Sequence, residues 1–206
     1  MKKGLLIALE GPDGSGKSTQ IKMLSNYLEN KGYKVLVTRE PGGTKISENI
    51  RNIILDNNNA EMSSVCEALL YAASRAQLIE EVIKPALEDG TIVLCDRFVY
   101  SSIVYQGIAR GIGVKEVQCI NDIALNGIKA DLTLMINVEY EKGLERKCSQ
   151  RKLDRLESCG NDFHKKVYNG YQQLAKELNN IVTIDGNNTL DYVHNKIVNE
   201  IESFLK

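Results

Sequence analysis

Short apolar runs alternate along this chain with longer stretches in which apolar residues recur every three or four positions. Residues 4–9 read as a buried strand that runs directly into a glycine-rich turn. Ile21, Leu24 and Leu28 then repeat at helical spacing, until Lys31-Gly32 supplies a cationic last turn and a glycine stop. Residues 34–38, 91–95, 131–138 and 181–184 complete five strand candidates, each rich in β-branched or aliphatic side chains. The remaining periodicity predicts helices over 45–56, 63–84, 100–106, 114–126, 140–150, 162–179 and 189–205. Strands this continuously apolar are expected to be buried on both faces, which in an alternating β-α chain means a parallel sheet sandwiched by helices. Such sheets bind ligands at the carboxyl ends of their strands, so the functional loops are expected to begin at Glu10, Thr38, Asp96, Val138 and Asp185.

The length of 206 residues fits one domain over the whole chain, since separate cores become usual only beyond roughly 250 residues. With 26 basic and 27 acidic residues the net charge is −1, too small a field to hold nucleic acid or an anionic membrane surface non-specifically. The apolar run from Leu5 to Leu9 falls far short of the roughly 20 residues of a membrane span, and no small-residue cleavage site follows Lys2 and Lys3. A cytoplasmic protein is expected. The five cysteines, Cys66, Cys95, Cys119, Cys148 and Cys159, form no C-x-x-C pair and have only two histidines to join them. They read as ordinary reduced thiols rather than a zinc site or disulfide framework.

Chemistry enters at residues 11–18. Gly11, Pro12, Asp13, Gly14, Ser15, Gly16, Lys17 and Ser18 satisfy G-x-x-x-x-G-K-[ST] after a strand and at the start of a helix. In that setting backbone N–H groups and the helix N-terminus cradle phosphates, Lys17 reaches the β- and γ-phosphates, and the Ser18 hydroxyl is placed to ligate Mg²⁺. Thr19 continues the same nucleotide-binding run. Asp96 ends the third strand candidate, where a carboxylate can hold Mg²⁺ directly or through water, and Arg97 extends that loop toward the ligand. Several enzyme and switch classes share such a loop. A G-protein is disfavoured, because Asn195-Lys196 is followed by Ile197-Val198 and so fails N-K-x-D.

Further segments narrow the choice: T-R-E-P-G-G-T at 38–44, A-A-S-R at 72–75, C-D-R-F at 95–98, S-S-I-V-Y-Q-G at 101–107, A-R-G-I-G at 109–113, D-L-T-L at 131–134 and L-D-R-L-E at 153–157. With the glycine-rich loop, these make the chain resemble the bacterial thymidylate kinases from about residue 4 to residue 175. The resemblance implies a P-loop NTPase fold of five parallel strands with helices on both faces and a short lid at about 146–160. It also implies transfer of the ATP γ-phosphoryl group to dTMP with Mg²⁺, and a homodimer. By the same resemblance Asp13 accepts from the sugar 3′-hydroxyl, and Arg51 and Arg97 hold the acceptor phosphate. Tyr71 stacks on thymine, Arg75 bonds the base O4, and Gln106, with Ser102 and Tyr105 beside it, reads the base edge. Arg146, Arg151 and Arg155 fall in the lid and can neutralise transferring charge; the loop itself offers only Pro12, Asp13, Gly14 and Ser15 at its variable positions, none cationic. The chain departs from the family at Tyr100, where an acidic residue is common. A kinase for another deoxynucleotide or nucleoside, and a non-catalytic nucleotide-binding regulatory module, stand as the alternatives.

Overall fold

The computed structural model describes residues 4–148, 154–178 and 180–205. Five strands, β1 (Leu5–Glu10), β2 (Val35–Arg39), β3 (Ile92–Asp96), β4 (Leu132–Asn137) and β5 (Ile181–Asp185), form one sheet in the order β2-β3-β1-β4-β5, with every pair parallel. Register places Ile7 between Leu94 and Leu132, and Leu9 between Asp96 and Leu134. Alternate residues of β1 therefore enter different cores. Ile7 and Leu9 pack with Ile21, Leu24 and Leu28 of α1 (Lys17–Asn30) and with Val193, Ile197 and Ile201 of α9 (Leu190–Leu205). Leu6 and Ala8 pack on the opposite face with Leu78, Ile83, Val93 and Phe98.

Burial on both faces holds for β1, β3 and β4. It fails at the edges: β2 and β5 each bury one residue of five, Thr38 and Ile184. An edge strand has a neighbour on one side and less helix above it, so a β-branched run such as Val35–Arg39 reads as central when it is not.

The helix expected over 63–84 is interrupted. α3 (Ser64–Leu78), begun by Ser63 Oγ accepting from the Cys66 N–H, gives way to a wide π turn, Ile79–Ile83, before the short α4 (Lys84–Glu88). Pro85 has no N–H to offer Glu81 and its ring crowds that carbonyl, and the wider turn accommodates both. A second π turn, Ile103–Ala109, follows α5 (Val99–Ser102) and carries Tyr105 and Gln106. The other helices are α2 (Lys45–Leu55), α6 (Val114–Leu125), α7 (Tyr140–Cys148) and α8 (Asn161–Glu177). β1 lies centrally, with β3 and β4 on its two sides, so the crevice at its carboxyl end is the topological switch point of the sheet.

Candidate active site

A cleft of about 450 Å³ opens at that switch point, and the two halves of its wall differ in chemistry. The first half is the glycine-rich loop between β1 and α1. At Gly11 (φ +137°) a Cβ would lie 2.3 Å from the Ile136 carbonyl oxygen, and at Gly14 (φ +73°) one would lie 2.0 Å from that of Gly143. Only glycine fits either place, because the loop is pressed between the end of β4 and the backbone of α7. Lys17 Nζ folds back onto this loop, donating to Gly11 O at 3.0 Å, Pro12 O at 2.9 Å and Ser15 Oγ at 3.3 Å. Burial, with the nearby positive charge of Arg97, pushes the Lys17 ammonium down to about 8.

That value sets a pH dependence. Phosphates beside Lys17 favour its charged form, so above about pH 8 nucleotide binding must take up a proton and affinity must fall, approaching tenfold per pH unit; below it this group contributes no slope. Calorimetry of Mg²⁺-ATP binding in buffers of different ionisation enthalpy is expected to show proton uptake at about pH 8.5 in the wild type and none in Lys17→Ala. Wild-type affinity that is flat from about pH 7 to about pH 9.5 contradicts the assignment.

Ser18 Oγ donates to Asp96 Oδ2 at 2.6 Å, across the gap between the start of α1 and the end of β3. Two adjacent hard oxygen donors fit Mg²⁺, which takes one or two protein ligands and completes its shell with phosphate and water. Among the described residues no group of three or more His, Cys, Asp or Glu side chains is placed to hold a metal.

The second half of the wall is built around Arg97, whose own backbone sits at φ +70°, a conformation costly for a side chain with a Cβ, by about 1–3 kcal/mol. Its Nη2 donates to Asp13 Oδ1 at 2.7 Å, and Nη1 donates to Gly11 O at 3.1 Å and Ser101 Oγ at 3.1 Å. The guanidinium carbon lies 5.1 Å from the centre of the Tyr105 ring, and Tyr105 Oη donates to Asp13 Oδ2 at 2.7 Å. Asp13 thus meets Arg97 and Tyr105 together, and a carboxylate's roughly four acceptor positions leave room for a sugar hydroxyl beside such donors. Arg51 lines the same cleft and donates to Pro41 O at 2.8 Å; burial and the neighbouring Arg39 lower its affinity for a proton, the electrostatic condition of a site awaiting an anion. Tyr71, Ser102 and Gln106 are also on this wall.

Two candidates behave differently from expectation. Arg75 reaches the cleft, but its guanidinium already gives all five N–H groups: to Glu40 Oε2 from both Nε (2.7 Å) and Nη2, to Ser102 Oγ (3.1 Å) and Asn121 Oδ1 from Nη1, and to Phe98 O (3.1 Å) from Nη2. A base O4 can be met only by sharing one of these hydrogens, so Arg75 serves first to tie the loop after β2 to α3, α5 and α6. Arg155 is not on the cleft wall. It is 8% exposed, with Nε donating to Ile54 O at 2.7 Å and Nη2 to Glu67 Oε2 at 2.7 Å, which corrects its reading as a phosphate-facing lid arginine: its charge is already neutralised by a buried carboxylate. Arg146, in the last turn of α7, does line the cleft. Arg151 lies outside the described residues.

Sequence reasoning passed over four acidic or hydroxyl groups that hold this wall in place. Glu10, 1% exposed, accepts from the backbone N–H of Phe98 (2.9 Å) and of Ser101 (3.1 Å), and from Tyr171 Oη (3.2 Å); burial pushes its carboxyl above the ordinary range. Ser101 hands that support on to Arg97. Glu40 anchors Arg75. Glu67 receives Arg110, Arg155 and Gln106; burial alone would raise its pKa, but these hydrogen bonds outweigh it and hold the carboxyl below its usual value. The signal for Glu67 was present in the spacing, since residues 67, 71 and 75 share one helical face. Tyr100 is not on the cleft wall: its hydroxyl lies 3.0 Å from Asn180 Nδ2, and its ring packs beside the buried cluster of Ile103, Met135 and Tyr171. The departure from the family pattern is thus a packing and bridging substitution between α5 and the segment before β5.

A phosphate-cradling half facing an arginine-rich acceptor half across one switch point makes this a P-loop nucleotide phosphotransferase. Comparison with known proteins carries the assignment further. The family model for thymidylate kinase matches residues 9–197, and the chain belongs to that family. It is 52% identical over 204 residues to a thymidylate kinase of Thermoanaerobacter sp., covering 98% of this chain and 100% of the relative. Thymidylate kinases of Finegoldia magna and Clostridium novyi are 49% identical over 194 residues and 47% identical over 209 residues; the first match covers 94% of this chain and 96% of the relative, the second all of both.

Proposed function

We propose that this chain phosphorylates dTMP to dTDP with ATP and Mg²⁺, a step in supplying dTTP for DNA synthesis. The observation that carries the reading is the pairing, within one cleft, of Lys17, Ser18 and Asp96 with Arg97, Arg51 and Asp13. Phosphoryl transfer asks little covalent chemistry of a protein, and the main tasks are alignment and charge stabilisation. Ser18 and Asp96 would hold Mg²⁺, which would supply positive charge to the phosphates of ATP. Lys17 leaves its loop carbonyls for the β- and γ-phosphates. Arg97 and Arg51 orient the acceptor phosphate, for which the planar guanidinium is suited. The acceptor is already ionised at neutral pH, so no general base is needed.

Base selection falls to Gln106, with Tyr71 as the stacking surface and Ser102 and Tyr105 completing the wall. Both purified-enzyme turnover and substrate choice test the reading. ADP release is expected to depend on dTMP, and kcat/KM for dTMP is expected to exceed that for dCMP by about 100-fold or more, because the wrong base leaves a buried polar group unpaired. dUMP lacks only a methyl group, worth about 1 kcal/mol, and is expected to be used roughly fivefold less well than dTMP. ADP release that ignores dTMP would instead indicate a nucleotide-binding module.

A homodimer is supported by an unpartnered apolar set on adjacent helices: Ile46 and Ile53 of α2, Val65 and Leu69 of α3, and Ile123 of α6, which is 85% exposed. A cytoplasmic location and a single kinase unit over the chain are supported by unpaired Cys66, Cys95, Cys119 and Cys159 and by one sheet that organises the described residues. Among those residues no helix is long and apolar enough to cross a membrane. The net charge of −1 supports small-molecule rather than nucleic-acid partners.

A further inference from the structure

The amide of Gln106 is buried with one half satisfied and the other not. Its side chain is 1% exposed, its Nε2 donates to Glu67 Oε1 at 3.0 Å, and its Oε1 has no hydrogen-bond partner although the residue belongs to the cleft wall. Glu67 is 0% exposed and receives three further donations: Arg110 Nε to Oε1 at 3.2 Å, and Arg110 Nη2 (3.0 Å) and Arg155 Nη2 (2.7 Å) to Oε2. A carboxylate between two guanidinium groups stays ionised and can only accept. An amide facing it must therefore turn its NH₂ toward it, which directs the amide oxygen the other way. A residue of the cleft wall is thus left with an unpartnered amide oxygen, an acceptor that calls for an N–H. Thymine and uracil carry an N–H at ring position 3, whereas cytosine has a bare nitrogen there.

We propose that Glu67 is a positioning residue that sets base selection: by holding Gln106 with its carbonyl toward the cleft, it makes the site accept a ring N–H and refuse a bare ring nitrogen. The inference rests on the thymidylate reading above and deepens it. An amide is nearly symmetric in shape, so packing alone scarcely distinguishes its two orientations, and the hydrogen-bond partner decides. Arg155 and Arg110 act through the same carboxylate by keeping it ionised.

Glu67→Gln tests this with almost no change of volume. Two guanidinium N–H groups meet the Oε2 position, at 3.0 and 2.7 Å, against one longer contact at 3.2 Å from Arg110 Nε to Oε1, so the new amide oxygen settles at Oε2 and the new NH₂ faces Gln106. Two NH₂ groups cannot satisfy one another, so Gln106 turns over and presents its Nε2 to the base. The ratio of kcat/KM for dTMP to that for dCMP is then expected to fall by at least about tenfold. A merely structural Glu67 would lower the melting temperature and both kcat/KM values alike, leaving the ratio unchanged, and that result overturns the proposal. Because both substrates are measured on one preparation, the ratio does not depend on the fraction folded. The double variant Glu67→Gln/Gln106→Glu restores an acceptor-only group facing the cleft and keeps the net charge beside the arginines; its ratio is expected to return to within about threefold of wild type. Should the single variant not fold, the double variant decides, and a collapsed ratio there overturns the proposal. A wild-type enzyme with no dTMP-dependent ADP release would overturn the functional reading itself, which keeps the two failures distinct.

Discussion

Replacing Lys17 with alanine is expected to leave a folded chain whose dTMP-dependent ADP release falls by about 100- to 1,000-fold, the usual loss on removing one preorganised charge from a transferring group. The fold survives because Lys17 contributes little to the core. Its ammonium is taken up by Gly11 O, Pro12 O and Ser15 Oγ, all within its own loop, and burial makes its charge costly to keep, as the fall of its pKa to about 8 records. The loop conformation itself is held from outside, by the close approach of Gly11 to Ile136 and of Gly14 to Gly143. Loss of the ammonium therefore removes charge from the phosphates without removing the cradle. Steady-state turnover and circular dichroism together check this. Activity within a few-fold of wild type, with an unchanged spectrum, would mean that another cation meets the β- and γ-phosphates.

Much of this was legible in the sequence because it rests on local chemistry. The order of five strands, the turn at residues 11–18 and the strand-end Asp96 follow from periodicity and from residue types that few other backbone paths require. The differences arise where position in the fold, rather than local chemistry, decides. β2 and β5 share the β-branched composition of central strands, and only the sheet order shows that they are edges. The helix expected over 63–84 stops short of Pro85, whereas α4 carries on to Glu88, and the apolar period does not register the wide turn at Ile79–Ile83. In the site, residues that point at ligand were easier to find than those that hold them. Glu10, Glu40 and Glu67 look like ordinary surface acids in one dimension, yet each is at most 5% exposed and is paired with a group more than 25 residues away. Pairing at that separation has no sequence period. The buried partners of Arg75 and Arg155 were invisible for the same reason.

The lid arginines are expected to separate into two kinds. α7 leaves β4 directly over the glycine-rich loop: a Cβ at Gly143 would lie 2.5 Å from Asp13 O, so the helix backbone touches the phosphate cradle. Arg146 follows one turn later, on the same face, and lines the cleft. Because the loop carries no arginine of its own, an arginine that joins Lys17 and Arg97 at the transferred group as the bond breaks is expected to come from α7 or the segment after it. An interaction made mainly in the transition state lowers kcat when lost and leaves ground-state affinity nearly intact. Arg146→Ala is therefore expected to reduce kcat by about 100-fold, with dTMP affinity within a few-fold of wild type. Arg155→Ala is expected to do the reverse. It takes one charged partner from Glu67, which keeps Arg110 and Gln106, so the cost is about 1.5–3 kcal/mol of stability, seen as a melting temperature lower by several degrees, with a smaller change in kcat. Single-turnover rates, equilibrium dTMP binding and thermal melts on the two variants, with Arg151→Ala alongside, distinguish the roles. If Arg146→Ala and Arg151→Ala both keep near-normal kcat, the lid serves as a cover, and Lys17, Arg97 and the metal held by Ser18 and Asp96 carry the charge.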